Sequence, residues 1–315
     1  MGGFGMTTGL GVVLFGDGAW AAETLLALRN TPHRALGVVL RRQPSDGSLR
    51  DAARELGVPV LQPGVVNDPP VLEQLRTWAP DLGLSIAYNQ IFRRALLELP
   101  RLGLLNFHAG MLPFYRGRNV INWAIINGER DLGLTAHFVD EGIDTGDLLL
   151  QRRVPIGWTD GYGDVLCRAV RALPSLVIDA LDLVAGGRYT RTPQPKTGTY
   201  FAGRSEGDEW LDWSDSSVNL HNKVRAITRP GPGARTLRGE RRITVWRAYC
   251  DPEWPKYLAT PGQVVGREEG GVLVKTGDST LLLQEVQERD GSPYTPAWPI
   301  GTRLGTPCRH PAASG

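Results

Sequence analysis

Residues 11–28 read GVVLFGDGAWAAETLLAL. An apolar run over Gly11–Phe15 is closed by Gly16-Asp17-Gly18, and apolar side chains then recur at 3.6-residue spacing over Ala19–Leu28. The spacing predicts a strand, a tight turn and a helix. The unit repeats downstream: a strand over Leu36–Leu40, a helix over Leu49–Leu56, a short run Val58-Pro59-Val60, a helix over Pro70–Trp78 and a strand over Leu82–Ala87. Strands alternating with helices at this interval predict parallel βαβ units. The fold class is therefore α/β, with a doubly wound, mostly parallel sheet covered on both faces. Ligands of such sheets sit beyond the carboxyl ends of the strands. The turn Gly16-Asp17-Gly18-Ala19-Trp20-Ala21 partly imitates a dinucleotide fingerprint. Its third glycine is Ala21, however, and Leu40-Arg41-Arg42 stands where an acidic residue would close the second strand, so the turn reads as a glycine entry into a helix.

Further along, a helix over Tyr162–Val184 runs into Gly186–Gly203, a Pro/Gly/Thr-rich stretch with the composition of a linker. Beyond it come a helical Val218–Ile227 and short β-type runs at Arg242–Ala248, Gly262–Val265, Val272–Lys275 and Thr280–Val286, the pattern of a small β-barrel or similar closed sheet. The expected organisation is a catalytic domain over 1–185, a linker over 186–204, a barrel-like domain over 205–305 and a tail over 306–315. A chain of 315 residues accommodates two such units. Its 41% hydrophobic and 22% charged residues exclude disorder and collagen-like repeats.

No apolar run reaches the roughly 18–20 residues that span a bilayer, and Met1–Leu10 lacks a basic n-region, so a cytoplasmic chain is expected. Cys167, Cys250 and Cys308 are odd in number and far apart, which excludes a disulfide scaffold and structural zinc. The net charge of +2 lacks the basic excess of a protein that grips a phosphate backbone.

The chemistry concentrates in Leu104–Arg116, LLNFHAGMLPFYR. In a strand, residues i and i+2 share one side, so Asn106 and His108 project together at the end of an apolar run. Asp140-Glu141-Gly142-Ile143-Asp144-Thr145-Gly146-Asp147 follows a strand over Leu134–Val139 and can return one carboxylate to the same rim, although spacing does not choose among its four acids. An amide donor, a histidine and a carboxylate suit amide-forming acyl transfer: one stabilises an oxyanion, one moves a proton, one supports the charged imidazole. No Ser or Cys sits in a nucleophile motif, which favours direct attack by an external amine over an acyl-enzyme. His137 lies within a β-type run and reads as packing. A metal-hydrolase reading through His108, His137 and Asp144 lacks any HExxH-like pair, and no metal is expected. Tyr115 and Arg116, between Leu112-Pro113 and Gly117, are placed to hold an anionic substrate group.

The segments NFHAGMLPFYRGRNVINWAIINGE (106–129) and GLTAHFVDEGIDTGDLLLQ (133–151) resemble the N10-formyltetrahydrofolate-dependent formyltransferases, with Asn-x-His, LPxYRG and DxGxDTG signatures in order. The resemblance implies that Asn106, His108 and Asp144 form the catalytic trio. It also implies that the co-substrate N10-formyltetrahydrofolate lies along Ser85-Ile86-Ala87-Tyr88-Asn89-Gln90-Ile91-Phe92 and the loop carrying Asp140, Glu141, Gly142 and Ile143. An intact trio argues against a catalytically silent folate-binding module. TYFAGRSEGDEWLDW (199–213), HNKVRAITRPGPGA (221–234) and RITVWRA (242–248) are similar to the linker and C-terminal region of methionyl-tRNA formyltransferases and of the UDP-aminoarabinose formyltransferase domain, a resemblance that implies an open, OB-like β-barrel there. Where the tRNA enzymes usually carry SLLPxxRGAAP, this chain has AGMLPFYRGRN, and Arg118-Asn119-Val120-Ile121-Asn122-Trp123 looks more like amino-sugar N-formyltransferases. Residues 206–315 hold about 14 basic and about 14 acidic side chains, a poor match to a polyanion. The expected acceptor is a small amine, foremost a nucleotide-linked amino sugar. Its phosphates would lie near Gly16, Asp17, Gly18 and Trp20 and near Tyr115, Arg116, Arg118 and Asn119. Charged initiator tRNA and amines such as a hydroxyornithine are the alternatives.

Overall fold

A computed structural model describes residues 9–289 and 291–306; the first part of the Met1–Leu10 start and the tail from 307, with Cys308, lie outside the described residues. The chain forms two compact units. The first holds described residues 9–120, 131–154 and 167–202, and the second holds 121–130, 155–166 and the described residues from 203 onward. In chain order, residues up to 202 form β1 (Gly11–Gly16), α1 (Gly18–Leu28), β2 (Arg34–Leu40), α2 (Ser48–Glu55), β3 (Val60–Leu61), α3 (Pro69–Trp78) and β4 (Leu82–Ile86). They continue as α4 (Arg94–Leu97), β5 (Leu104–His108), β6 (Arg116–Gly117), α5 (Val120–Ile126), β7 (Asp131–Phe138), β8 (Leu148–Pro155), α6 (Tyr162–Ala185) and β9 (Tyr200–Phe201).

The main sheet has the order β3-β2-β1-β4-β5-β7-β8. Its strands from β3 to β5 run parallel and β7 is antiparallel to β5, so the sheet is parallel-dominated, as the βαβ spacing predicts. The edge strand β8 carries the half-buried Leu148-Leu149-Leu150, then the polar Gln151, Arg152 and Arg153 and the buried Val154. On β5, Asn106 is registered between Ser85 of β4 and His137 of β7. One face of the sheet is packed by Val13, Phe15, Val39, Leu75 and Phe92. The Phe92 ring stacks on Tyr88 at 5.6 Å and meets Phe15 edge-on at 5.0 Å.

The stretch read as a linker is no tether. Residues 187–202 cluster with the first unit, and β9 pairs in parallel with β6, Arg116 opposite Tyr200 and Gly117 opposite Phe201. The glycine content that mimics a flexible linker has a packing cause: a Cβ on Gly198 would sit 2.4 Å from the Pro113 carbonyl oxygen.

In the second unit, α7 (Ser217–Ile227) begins with Ser216, whose hydroxyl accepts from the Asn219 N–H at 3.1 Å. Antiparallel strands β10 (Ala234–Arg238), β11 (Arg241–Tyr249), β12 (Val264–Glu268), β13 (Gly271–Lys275), β14 (Thr280–Glu288) and β15 (Leu304–Gly305) take the order β12-β13-β14-β11-β10-β15. The two edges join where the Val264 N–H donates to the Thr302 carbonyl and the Leu304 N–H to the Gly262 carbonyl, both at 2.8 Å. This closes the sheet into the barrel-like form that the short strands predict.

Among the described residues, no helix is long and apolar enough to cross a membrane, and no group of three or more His, Cys, Asp or Glu is placed to hold a metal ion. Phe92 was expected along the folate stretch, yet its side chain is buried in the core. Phe92→Ala is expected to lower the unfolding free energy by about 3–5 kcal/mol in a denaturant titration. A change within about 0.5 kcal/mol would remove the ring from the core.

Candidate active site

The alternation of β5 brings Asn106 and His108 to one side, and the antiparallel register adds His137 opposite Asn106. The loop after β7 folds back because the Phe138 N–H donates to the Asp147 carbonyl at 2.8 Å. Inside the loop, Asp140 accepts from the Gly142 N–H at 3.0 Å and from the Thr145 hydroxyl at 2.7 Å. Asp140 therefore shapes the turn through Oδ1 while its side chain stays exposed. Of the four acids, Asp144 is the one that turns inward. It has φ 54, and its side chain is only 13% exposed.

Four groups surround the Asp144 carboxylate. The Gly117 N–H donates to Oδ2 at 2.9 Å, and His108 Nδ1 lies 3.6 Å from the same oxygen. His137 Nε2 lies 3.6 Å from Oδ1, and Asn106 Nδ2 approaches that oxygen at 3.4 Å. Burial works against the charge, but the His137 and His108 rings and the Gly117 N–H outweigh it and hold the pKa at about 2.

Carbonyl oxygens set the imidazole protons. His108 Nε2 lies 2.6 Å from the Tyr115 carbonyl and His137 Nδ1 lies 2.8 Å from the Phe138 carbonyl, so each of these nitrogens donates. The neutral His108 ring thus keeps its lone pair at Nδ1, facing Asp144. His137 Nε2 is left to accept from Asn106 Nδ2 at 3.1 Å, which fixes the amide plane of Asn106. Burial pushes the His108 pKa below its ordinary value of 6.5, against the opposing pull of Asp144 and of the Tyr115 carbonyl. His137, read from sequence as packing, is buried but belongs to this cluster. Its role depends on strand register, which a single sequence does not display.

Other expected residues are distributed differently. Arg116 is not open to an anionic substrate: it is buried, and its Nε and Nη2 both donate to Gln194 Oε1, at 3.2 and 2.7 Å. Asp17 is buried as well, accepting from the Ser45 N–H at 3.0 Å and pairing with Arg41 at 3.1 Å. Its carboxylate is turned toward Ser45 and Arg41 and caps no N–H of α1. Gly18 has φ 61 and Trp20 is half-buried. Arg118 and Asn119 have exposed side chains and Tyr115 is partly exposed.

Within the folate stretch, Ser85 and Ile86 are buried in β4, Ala87 has φ 53, and Gln90 Oε1 accepts from the Val66 N–H at 2.8 Å. Asn89 and Ile91 are exposed, as are Glu141, Gly142 and Ile143. The outward Ile91 and Ile143 offer apolar surface suited to a flat heteroaromatic ring.

Residues 11–181 match the formyl transferase family and residues 204–299 match its C-terminal domain. The chain is 36% identical over 289 residues, 88% of each chain, to the methionyl-tRNA formyltransferase of Symbiobacterium thermophilum. It is 33% identical over 290 residues, 89% of each chain, to that of Geobacter sulfurreducens. Among solved structures, a sugar 3N-formyl transferase aligns with TM-score 0.71 over 90% of this chain and 99% of its own, at 18% identity. An N-formyltransferase from Helicobacter canadensis, solved with folinic acid and dTDP-3-aminofucose, aligns with TM-score 0.69 over 87% of this chain and 98% of its own, at 19% identity. These last two likenesses are of fold.

The depressed Asp144 pKa fixes a sign. The ionised carboxylate adds stability above the ordinary pKa of 3.8, and that contribution disappears as the pH falls from 3.8 to about 2. Its size is about 2 kcal/mol. In denaturant titrations, the stability gap between wild type and Asp144→Asn is expected to narrow by that amount across this window. A gap independent of pH would contradict the assignment.

Proposed function

The chain belongs to the formyl transferase family, and from its formyl-tetrahydrofolate-dependent chemistry we propose that Asn106, His108 and Asp144 transfer the formyl group to a primary amine of a small molecule. The neutral amine attacks the formyl carbon. Its nitrogen bonds to that carbon while the bond from carbon to N10 of the folate breaks, giving a formamide and tetrahydrofolate. His108 accepts the amine proton at Nδ1, beside Asp144, and returns it to N10. Asn106 donates one N–H to His137; the other, with Nδ2 3.4 Å from Asp144 Oδ1, makes the weaker bond and is the one that serves the oxyanion. The co-substrate lies along the segments at 85–92 and 140–143.

The observation that carries the reading is the assembly of an amide donor, a neutral imidazole and a carboxylate around one point at the end of β5. For the acceptor, the balanced charge of residues 206–315 favours a small amine, foremost a nucleotide-linked amino sugar. With Arg116 engaged, Arg118 is the remaining arginine of that loop to meet its phosphates. A second reading, formylation of methionyl-tRNA, is favoured by the 36% identity to the Symbiobacterium enzyme over 88% of each chain.

Asn106→Ala, His108→Ala and Asp144→Ala are each expected to lower turnover by about 10²–10³-fold while leaving the fold intact. Near-normal turnover by His108→Ala at saturating substrate would overturn its role. A competition assay with N10-formyltetrahydrofolate, offering charged initiator tRNA beside nucleotide amino sugars and free amines, is expected to formylate an amino sugar. Formylation of the tRNA alone would establish the second reading instead.

A further inference from the structure

Gln194 lies in the stretch whose composition suggests a linker, yet both polar atoms of its side chain are engaged around the active-site loops. Oε1 accepts the fork of the buried Arg116 guanidinium, at 3.2 Å from Nε and 2.7 Å from Nη2. Nε2 donates to the backbone carbonyls of Asp144 at 3.0 Å and Gly146 at 2.7 Å. One side chain thus ties together two loops on either side of the trio. The first carries the Tyr115 carbonyl that receives the His108 proton donor, and the second carries Asp144 itself.

Both loops need such support. Tyr115 and Asp144 have φ 59 and φ 54, left-handed conformations that residues with a side chain adopt only when their surroundings enforce them. The strap bearing Gln194 is anchored independently. The Arg116 N–H donates to the Thr199 carbonyl at 2.9 Å, the Arg118 N–H donates to the Phe201 carbonyl at 2.9 Å, and the Tyr115 and Phe201 rings stack at 5.0 Å. Arg116 in turn lies 5.3 Å from the centre of the Tyr200 ring.

We infer that Gln194 is a positioning residue for formyl transfer, with Arg116 as its anchor: the segment after α6 is a strap that sets the distance between Asp144 and His108. A carboxamide is required by the chemistry of the site. The Arg116 fork needs an acceptor and the two carbonyls need a donor, and glutamine supplies both on one planar group. Glutamate keeps the first function and loses the second, placing anionic oxygen against two carbonyls. The inference rests on the proposed catalytic trio, because the strap acts through it.

Gln194→Glu and Gln194→Ala separate the two functions. Both variants are expected to lower kcat by at least about tenfold, since small misplacements in a reacting constellation are costly, with KM for N10-formyltetrahydrofolate within about threefold. Asp144 raises the His108 pKa, so its displacement should also move the acid limb of the pH–kcat/KM profile to lower pH. Hydrogen exchange over 113–118 should speed up as the Gly117 N–H loses its Asp144 partner. Wild-type kcat in Gln194→Glu, or an unmoved acid limb in both variants, would overturn the inference. Failure of the wild-type enzyme to formylate any amine would instead strike the functional reading. The exchange comparison still tests the strap in that case: unchanged exchange in both variants would refute it.

Discussion

The structure of this formyltransferase depends on keeping one carboxylate ionised while nearly all of its surface is removed from water. An unpaired buried charge costs several kcal/mol, so Asp144 persists only with its oxygens satisfied. The Gly117 N–H and the Asn106 amide donate to its two oxygens, and His108 becomes a cationic partner when it takes a proton at Nδ1. These groups come from β5 and from the loop that carries Gly117, and β7 opposite β5 adds His137. The β5–β7 register, the turn ordered by Asp140 and the pairing of β6 with β9 all contribute to this arrangement.

The same constraint explains where the backbone is strained. Left-handed residues with side chains cost on the order of 1–3 kcal/mol each, and Tyr115, Asn119 and Asp144 all adopt this conformation around the site. The strain has a use. It aims the Tyr115 carbonyl at His108 Nε2 and the Asp144 side chain at Nδ1, so the ring is held from both ends with its lone pair on the side of the carboxylate. The surrounding hydrogen bonds offset that cost, and Gln194 supplies two of those on the Asp144 loop.

Much of this was legible in the sequence, for reasons that can be stated residue by residue. Alternation in a strand is a local property, so Asn106 and His108 could be placed on one face from their spacing. The βαβ periodicity and the short C-terminal strands are local too, and they gave the parallel-dominated sheet and the closed antiparallel one. Pairing is not local. His137 gains its partner from the antiparallel register of β7, and Gln194 meets Arg116 across 78 positions. An arginine ahead of a glycine in a loop looks the same whether it faces a phosphate or a glutamine, and here it faces the glutamine. A Gly/Pro/Thr-rich stretch likewise looks the same whether it swings freely or lies flat on a neighbouring loop.

The most direct test is the ionisation of His108, followed by 15N NMR across pH in the wild type and in Asp144→Asn. A neutral ring with its proton on Nε2, titrating below 6.5 and lower still once the Asp144 charge is removed, is the predicted result. A ring that is cationic at pH 7, that carries its proton on Nδ1, or that titrates unchanged without the carboxylate would contradict the account.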